Sequence, residues 1–424
     1  MFSLLFLAAC SEFSHTNAQS SVFENEDRES SNGFGGFESG LWANDFPSHK
    51  DLAILFELFD DPMISAGDLT PVGRTFLPPR WLYNVSQAFK RTDVGAALDE
   101  ENRFEDWRVV SMRVVPCQPL GVMPAQTSDV LCWPTLRLVW QPVVKDVEVS
   151  WGRAEIYADD RAIHAIYPLQ PRSTDGQLIQ TDVRNQVAVQ LKGGQLEDEL
   201  PVSLLTEFEA VRDTTAQYFL NRTEDLRSTK LEAGNWDGYG VRPEVYMDES
   251  EQDAFKKRIR DFVGEFALPN DLVELTAFSL PEGRSPAHSD IWVFLQFEGR
   301  EGEIYQNEMT ILSREDGQEI ANVGLEQTVS MGVEDDALIA SIESGNAELE
   351  AVLIIDSEDV AQLGEQMADP DQFFVPNTSC ASCHRLNDTR FDFHSLSHLE
   401  DGNTTISPRV VGDVERELMW VRTR

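Results

Sequence analysis

Short apolar runs rich in Val, Ile and aromatic residues recur through most of the chain, and Pro, Gly or Asp separates them. Runs of this length and composition, bounded by such residues, predict β-strands. The predicted strands cover residues 108–115, 136–143, 155–157, 162–167, 272–278, 291–297, 303–312, 337–342 and 350–355. The pattern predicts an α+β protein that is predominantly β, built as a sandwich or a mixed sheet.

Helical patterns lie between these strands. Ser250 and Asp253 resemble a capping box, a phenylalanine-rich face follows, and Pro269 ends the pattern. Pro408 after Ser407 is typical of a helix start, which predicts a short helix at the C-terminal end. The predicted helices cover residues 50–59, 202–220, 250–268, 358–367 and 408 onward.

The charge of the chain excludes one class of partner. There are 74 acidic and 34 basic side chains, which give a formal net charge of -40. No segment gathers enough Lys or Arg to bind a phosphate backbone, so no nucleic-acid partner is expected. The same negative field repels anionic lipid, so attachment to a membrane would need a covalent or apolar device.

Such a device is suggested by the first ten residues. They form a short apolar run that ends in two small residues and a cysteine, Leu7-Ala8-Ala9-Cys10. This run resembles a bacterial lipobox, although it has no Lys or Arg before its apolar stretch. The resemblance implies a signal peptide over residues 1–9, cleavage before Cys10, and acyl chains on Cys10 that anchor the protein in the lipid bilayer. Ser11 after the cysteine is typical of lipoproteins of the outer membrane.

One motif carries chemistry. Cys380-Ala381-Ser382-Cys383-His384 has the CxxCH pattern and at this point resembles the cytochrome c family. Thiols at positions i and i+3 of a helical turn project to one side, so both can reach the vinyl groups of one porphyrin. The resemblance implies one covalent haem c per chain, held by Cys380 and Cys383, with His384 as the proximal iron ligand.

Two other interpretations of the CxxC pair stay open. A thioredoxin-like redox pair would need a βαβ setting and would leave His384 without a role. A zinc site is the second, since Cys380 and Cys383 with His394 and His398 form C-x2-C-x10-H-x3-H. The gap between the two pairs is shorter than in zinc fingers, which favours haem.

The second axial ligand of a haem iron must come from elsewhere in the chain. His394 and His398 follow the motif among apolar residues, and their i, i+4 spacing puts both on one face of a helix. We expect His394 to bind the iron, with His398 as the reserve. Met419 lies to one side of the apolar stripe of the last helix, and Met419 and Met367 are the alternatives.

The remaining cysteines are expected to pair. With Cys10 acylated and Cys380 and Cys383 in the motif, Cys117 and Cys132 are left, and they flank a loop rich in Pro and Gly. A disulfide across the mouth of a hairpin fits this arrangement. It agrees with an oxidising compartment.

Elsewhere the sequence gives no catalytic pattern. His164 lies within an apolar strand, where a half-buried, hydrogen-bonded histidine is expected. No Walker loop, Rossmann fingerprint, Gly-x-Ser-x-Gly elbow or His-Glu-x-x-His helix is present.

These patterns predict an order of parts along the chain. They are a signal peptide at 1–9, a flexible tether at 10–45, a β-rich domain at 46–245 with the disulfide, an α+β domain at 246–369 and a haem segment at 370–424. We expect a lipid-anchored cytochrome on the periplasmic face of the outer membrane that exchanges one electron with a partner protein. The alternatives are an envelope redox enzyme, or a substrate-binding lipoprotein whose haem is auxiliary or structural.

Overall fold

The computed structural model describes residues 46–56, 63–92, 107–120, 131–146, 155–158, 162–191, 200–231, 236, 238–279, 293–300, 303–307 and 408–424. Six α-helices lie in these ranges. They are α1 (His49–Leu52), α2 (Pro79–Thr92), α3 (Val183–Gln190), α4 (Val202–Glu224), α5 (Glu249–Phe266) and α6 (Pro408–Arg422).

All strands in the described ranges join one antiparallel sheet. They are β1 (Ala53–Leu55), β2 (Trp107–Pro119), β3 (Cys132–Asp146), β4 (Glu155–Ala158), β5 (Ala162–Pro168), β6 (Glu274–Ser279), β7 (Val293–Arg300) and β8 (Glu303–Asn307). The order is β1-β2-β3-β5-β6-β7-β8, with β4 paired to β3 off this path. The expected mixture of α and β structure is confirmed, and the described strands form a single sheet.

Helices pack against both faces of this sheet. Every residue of β2 from Val109 to Cys117 is buried, so side chains pointing to either face are out of solvent. On one face Trp133 of β3 packs against Phe208 of α4, with ring centroids 5.4 Å apart. On the other, Trp81 of α2 lies 3.0 Å from the point where a Cβ of Gly299 would stand.

Large aromatic side chains stand at several points of the core. Trp107, Trp133 and Trp140 are fully buried, and each such ring removes on the order of 200 Å² from water. A second aromatic group joins α4 and α5, where Phe219 stacks on Phe262 at 5.6 Å. The core therefore runs from the sheet into the helical layer.

The predicted helix at residues 50–59 is wrong in its middle. Helix α1 ends at Leu52, and Ala53–Leu55 form β1, which pairs with residues 111–113 of β2. The reason is tertiary: Ala53, Ile54 and Leu55 are all buried, and pairing with β2 buries them on an edge strand.

The two long helices were predicted nearly to their ends. Helix α4 starts at residue 202, as expected, and runs four residues further, to Glu224. Helix α5 starts at Glu249, and its N-cap is Asp248, whose carboxylate accepts from the amide of Glu251, rather than Ser250. Helices α2 and α3 were not predicted, although Pro79 at the first position of α2 is a start signal.

The sheet crosses the predicted domain boundary at residue 245. Strand β6, after the boundary, pairs directly with β5, before it, from Ala162 with Phe278 to Ile166 with Glu274. Helices α4 and α5 lie between these strands in sequence, and a helical stretch between two groups of strands is compatible with a domain boundary. In the structure they pack on each other, and the chain returns to the same sheet.

Candidate functional site

The predicted haem site lies outside the described residues. This holds for Cys380, Cys383, His384, His394 and His398, and equally for Cys10 and Met367. The nearest described element along the chain is α6, whose first residue, Pro408, comes ten positions after His398. The packing of α6 therefore fixes the chain from Pro408 onward.

Helix α6 packs through the apolar stripe that the sequence predicts. Val414, Leu418 and Val421 are buried, and Trp420 is buried beside them. All four belong to the main core, together with the sheet residues. Each buried side chain of this size stabilises the packed helix by about 1.5–3 kcal/mol. The end of the chain is thus an integral part of the fold.

A buried ion pair joins α6 to the sheet. Glu417 accepts from the Arg113 guanidinium of β2 through both carboxylate oxygens, each at 3.0 Å. Arg137, directly opposite Arg113 on β3, adds a second positive charge nearby. Burial raises the pKa of Glu417 to about 7, and Asp413 adds to the rise while Arg113 opposes it.

Polar contacts on the exposed side hold the first turns of α6. His49 Nε2 of α1 lies 2.6 Å from Glu415 Oε1. The Tyr239 hydroxyl donates to the carbonyl of Val411 at 3.2 Å, and the Tyr239 ring meets His49 edge-on at 4.8 Å. Burial raises the pKa of Tyr239, so it remains a neutral donor. The helix is therefore fixed at both its start and its middle.

Met419 is the one axial-ligand candidate among the described residues. Its side chain is 54% exposed, so it lies off the buried stripe, as its position in the sequence indicates. Its neighbour Trp420 points inward, with the guanidinium of Arg212 5.7 Å from its ring centroid. The carbonyl of Met419 accepts from the amide and the hydroxyl of Thr423, each at 3.1 Å, at the end of the helix.

His164 is half-buried in β5, as expected. Its register neighbours are Val139 on β3 and Thr276 on β6. Burial, with the positive charge of Arg137, lowers the pKa of His164 to about 4. The imidazole is therefore neutral at physiological pH.

The predicted disulfide is present. Cys117 near the end of β2 is bonded to Cys132 at the start of β3, with Cα atoms 5.0 Å apart. Gln118 pairs with Trp133 in the same stretch of the hairpin. The bond therefore closes the β2–β3 hairpin beside the contact of Trp133 with α4.

The structure contains a buried charge cluster that the sequence patterns do not predict. Asp51 pairs with Arg227 and Arg242, and Arg242 also donates to Glu244 at 2.8 and 3.0 Å. The two guanidinium groups lie 4.3 and 4.4 Å from the Trp236 ring centroid. The two guanidinium groups and the two carboxylates balance in charge. Because Asp51 belongs to α1 and the other three residues follow α4, the cluster joins α1 to the segment after α4. Asp51 lies 176 positions before Arg227 and 191 before Arg242, so no local pattern indicates these contacts.

In the part of the chain that the structure describes, no three His, Cys, Asp or Glu side chains gather as a metal site would require. None of the helices described there is long and apolar enough to cross a membrane. No protein-family model, curated protein or solved structure matches the chain.

Proposed function

We propose that this protein is a lipid-anchored c-type cytochrome that transfers single electrons in the bacterial cell envelope. The observation that carries the proposal is the sequence Cys380-Ala381-Ser382-Cys383-His384. Two thiols three residues apart, followed at once by an imidazole, are the donor set that covalent haem attachment requires. Bound haem would supply a reversible one-electron couple at its iron.

The residues of this chain then have distinct tasks. Cys380 and Cys383 hold the porphyrin covalently, and His384 binds the iron as the proximal ligand. His394 is the second ligand in this proposal, with His398 as the reserve. Imidazole ligation by both histidines would give a bound haem a lower reduction potential than ligation by a methionine.

Helix α6 supports the proposal because the described chain that follows the motif, from Pro408 onward, is packed into the core. The chain after the motif enters a helix that shares the core of the sheet and is held by the Arg113–Glu417 pair. A rigid frame would keep the distance between the cofactor and the partner constant, and the rate of electron transfer depends on that distance. We infer that residues 370–424 form a short, partly helical haem segment on an α+β frame.

The disulfide supports the proposed location. Disulfides persist in oxidising compartments such as the bacterial periplasm, where cytochrome c haem is also attached. With Cys10 acylated, the protein would be held on the periplasmic face of the outer membrane. Its partner there is another redox protein.

A second function is favoured by the size of the frame. Eight strands and five helices precede α6 in the described residues, more than one haem needs for support. An envelope redox enzyme, in which this frame binds a substrate and the haem carries electrons, would account for it. A substrate-binding lipoprotein with a structural haem is the remaining possibility.

Haem staining of a denaturing gel tests the proposal. The protein is produced with a cytochrome c maturation system, and we expect the stain to follow the chain because thioether bonds survive unfolding. Replacing Cys380 and Cys383 by Ala should abolish the stain. Ser382→Ala, between the two cysteines, is the matched control and should keep it. Stoichiometric zinc without Soret absorption in the wild type would contradict the proposal.

A further inference from the structure

Strand β8 ends the sheet path on one side, and β7 is its one partner strand in the described part of the chain. The other end of the path, at β1, is covered, because the amide of Arg242 donates to the carbonyl of Leu55 at 3.2 Å. An uncovered edge presents amide and carbonyl groups to which another strand can add. Strand β8 contains neither Lys nor Pro, the residues that often protect such an edge. It is therefore an edge that a further strand can extend.

The register of β7 and β8 shows which backbone groups face the open edge. The amide of Gly299 on β7 donates to the carbonyl of Val273 at 2.8 Å, on the side of β6. Successive residues of a strand direct their backbone groups to alternate sides, so the two neighbours of Gly299 on β7 face β8. One of them has Tyr305 as its register partner, and Tyr305 therefore bonds to β7. Ile304 and Gln306, on either side of Tyr305, direct their amide and carbonyl groups to the open edge.

The sequence just after β8 predicts a hairpin. The strand pattern continues to residue 312, and Glu315-Asp316-Gly317 follows it. A three-residue loop with Gly in third place is a common connection between antiparallel strands. It would make Arg314 and Gln318 the closing pair. Ten positions back along the chain and ten forward, Ile304 would then pair with Thr328. The loop and the edge thus agree, because in this hairpin the even-numbered residues of β8 bond to the new strand.

A two-residue loop would not fit this edge. With Asp316 and Gly317 alone in the loop, residue 315 would pair with residue 318. The odd-numbered residues of β8 would then have to bond to the new strand, although Tyr305 and its alternate neighbours already bond to β7. The three-residue loop is therefore the one that extends the sheet.

The side chains after the loop fit the same register. In residues 319–329 four of the six odd-numbered positions are apolar, against one of the five even-numbered positions, which is typical of a strand with one buried face. Gln327 would lie opposite Tyr305, and Leu325 and Val329 would be its diagonal neighbours on the same face. The Tyr305 side chain is 49% exposed among the described residues. The added strand would therefore cover this exposed ring with apolar groups.

We propose that residues 318–330 pair with the open edge of β8 as a further antiparallel strand, joined to it by the loop Glu315-Asp316-Gly317. A segment one short loop away has a high effective concentration at this edge, whereas a second copy of the chain would have to associate from solution. With the strand in place, β8 cannot pair edge to edge with another copy. The proposal goes beyond the proposed function, because it holds whatever the CxxCH motif binds.

Disulfide trapping tests the pairing and its register. The full chain carries Tyr305→Cys with Gln327→Cys, and the bonds are mapped by mass spectrometry because the chain has five other cysteines. Opposite residues of an antiparallel pair have Cα atoms about 4.5–5.5 Å apart, within the range that a disulfide spans. We expect an intramolecular bond between positions 305 and 327.

The matched control is Tyr305→Cys with Thr328→Cys. These two side chains would point to opposite faces, so no bond should form between them. A bond in the control pair, bonds only between two copies, or no bond in either chain would overturn the proposal.

Hydrogen exchange gives a second test without new cysteines. In the unsubstituted chain we expect the amides of Ile304 and Gln306 to exchange as slowly as the amide of Tyr305, because a paired strand would protect them. Glu326→Pro removes the amide that would donate to Gln306, and it should speed exchange at both positions at least several-fold. Gln327→Pro is the matched control, since its amide would point away from β8, and it should leave exchange unchanged.

Fast exchange of the two amides in the unsubstituted chain, or no effect of Glu326→Pro, would overturn the added strand. Neither test depends on bound haem. A failure here therefore refutes only the added strand, and a chain without haem stain refutes only the cytochrome.

Discussion

The buried carboxyl of Glu417 should make the stability of the fold depend on pH in a way that one substitution removes. Its pKa is about 7 in the folded chain against 4.5 when it is unperturbed. The folded state therefore holds a proton on Glu417 that the unfolded state releases between these values. The contribution to stability is fully present below about pH 4.5 and is lost as the pH rises through 7.

The size of the effect follows from the shift. A change from 4.5 to about 7 corresponds to about 3 kcal/mol. Glu417→Gln keeps an oxygen acceptor for Arg113 but cannot ionise. The free energies of unfolding of the two chains should therefore be close at pH 4.5 and should diverge toward pH 8, with the Gln variant the more stable.

Urea unfolding of both chains at a series of pH values measures this difference in the free energy of unfolding. The other carboxylates are the same in both chains, so their contributions cancel when the two free energies are subtracted. Glu415→Gln, on the exposed side of the same helix, is the control. Glu415 is 55% exposed, so loss of its contact with His49 should change stability by no more than about 1 kcal/mol. If wild type and Glu417→Gln stay parallel from pH 4.5 to 8, Glu417 is not a buried carboxyl between α6 and the sheet.

Three further outcomes are expected. Cys10→Ser should move the protein from detergent to the aqueous phase, and an unmodified N-terminus in the wild type would exclude the lipid anchor. His394→Ala should change the oxidised visible spectrum and Met419→Ala should not; a long-wavelength methionine–iron band lost on Met419→Ala would contradict bis-histidine ligation. Replacing Cys117 and Cys132 by Ala should lower the free energy of unfolding by about 3 kcal/mol, and unchanged urea unfolding would refute that role.

Local patterns predicted the elements that local chemistry controls. The seven predicted strands that fall in the described ranges correspond to β2–β8, and the apolar stripe of α6 is buried at Val414, Leu418 and Val421. The disulfide followed from the number of cysteines and from the loop between Cys117 and Cys132. In each case the prediction depends on a pattern of neighbouring residues or on the number of cysteines in the chain.

Contacts between distant residues were beyond such patterns. Residues 53–55 carry a helix-compatible sequence, yet pairing with β2 makes them a strand. Arg113 and Glu417 are 304 positions apart, and nothing near either residue indicates the other. The sheet joins both predicted β-containing parts because β6 pairs with β5, a choice made by tertiary packing. For the proposed haem, the motif itself indicates only Cys380, Cys383 and His384, and the second ligand stays a prediction from the spacing of His394 and His398.

A reductive titration of the purified protein, followed by its visible spectrum, tests the proposed function most directly. The protein should show a Soret band, and its absorption at longer visible wavelengths should split into two bands on reduction. It should take up one electron per chain reversibly. The variant with Cys380→Ala and Cys383→Ala should take up none. A wild-type protein that carries no haem and accepts no electron, or that holds one zinc ion per chain instead, would contradict its assignment as an electron carrier.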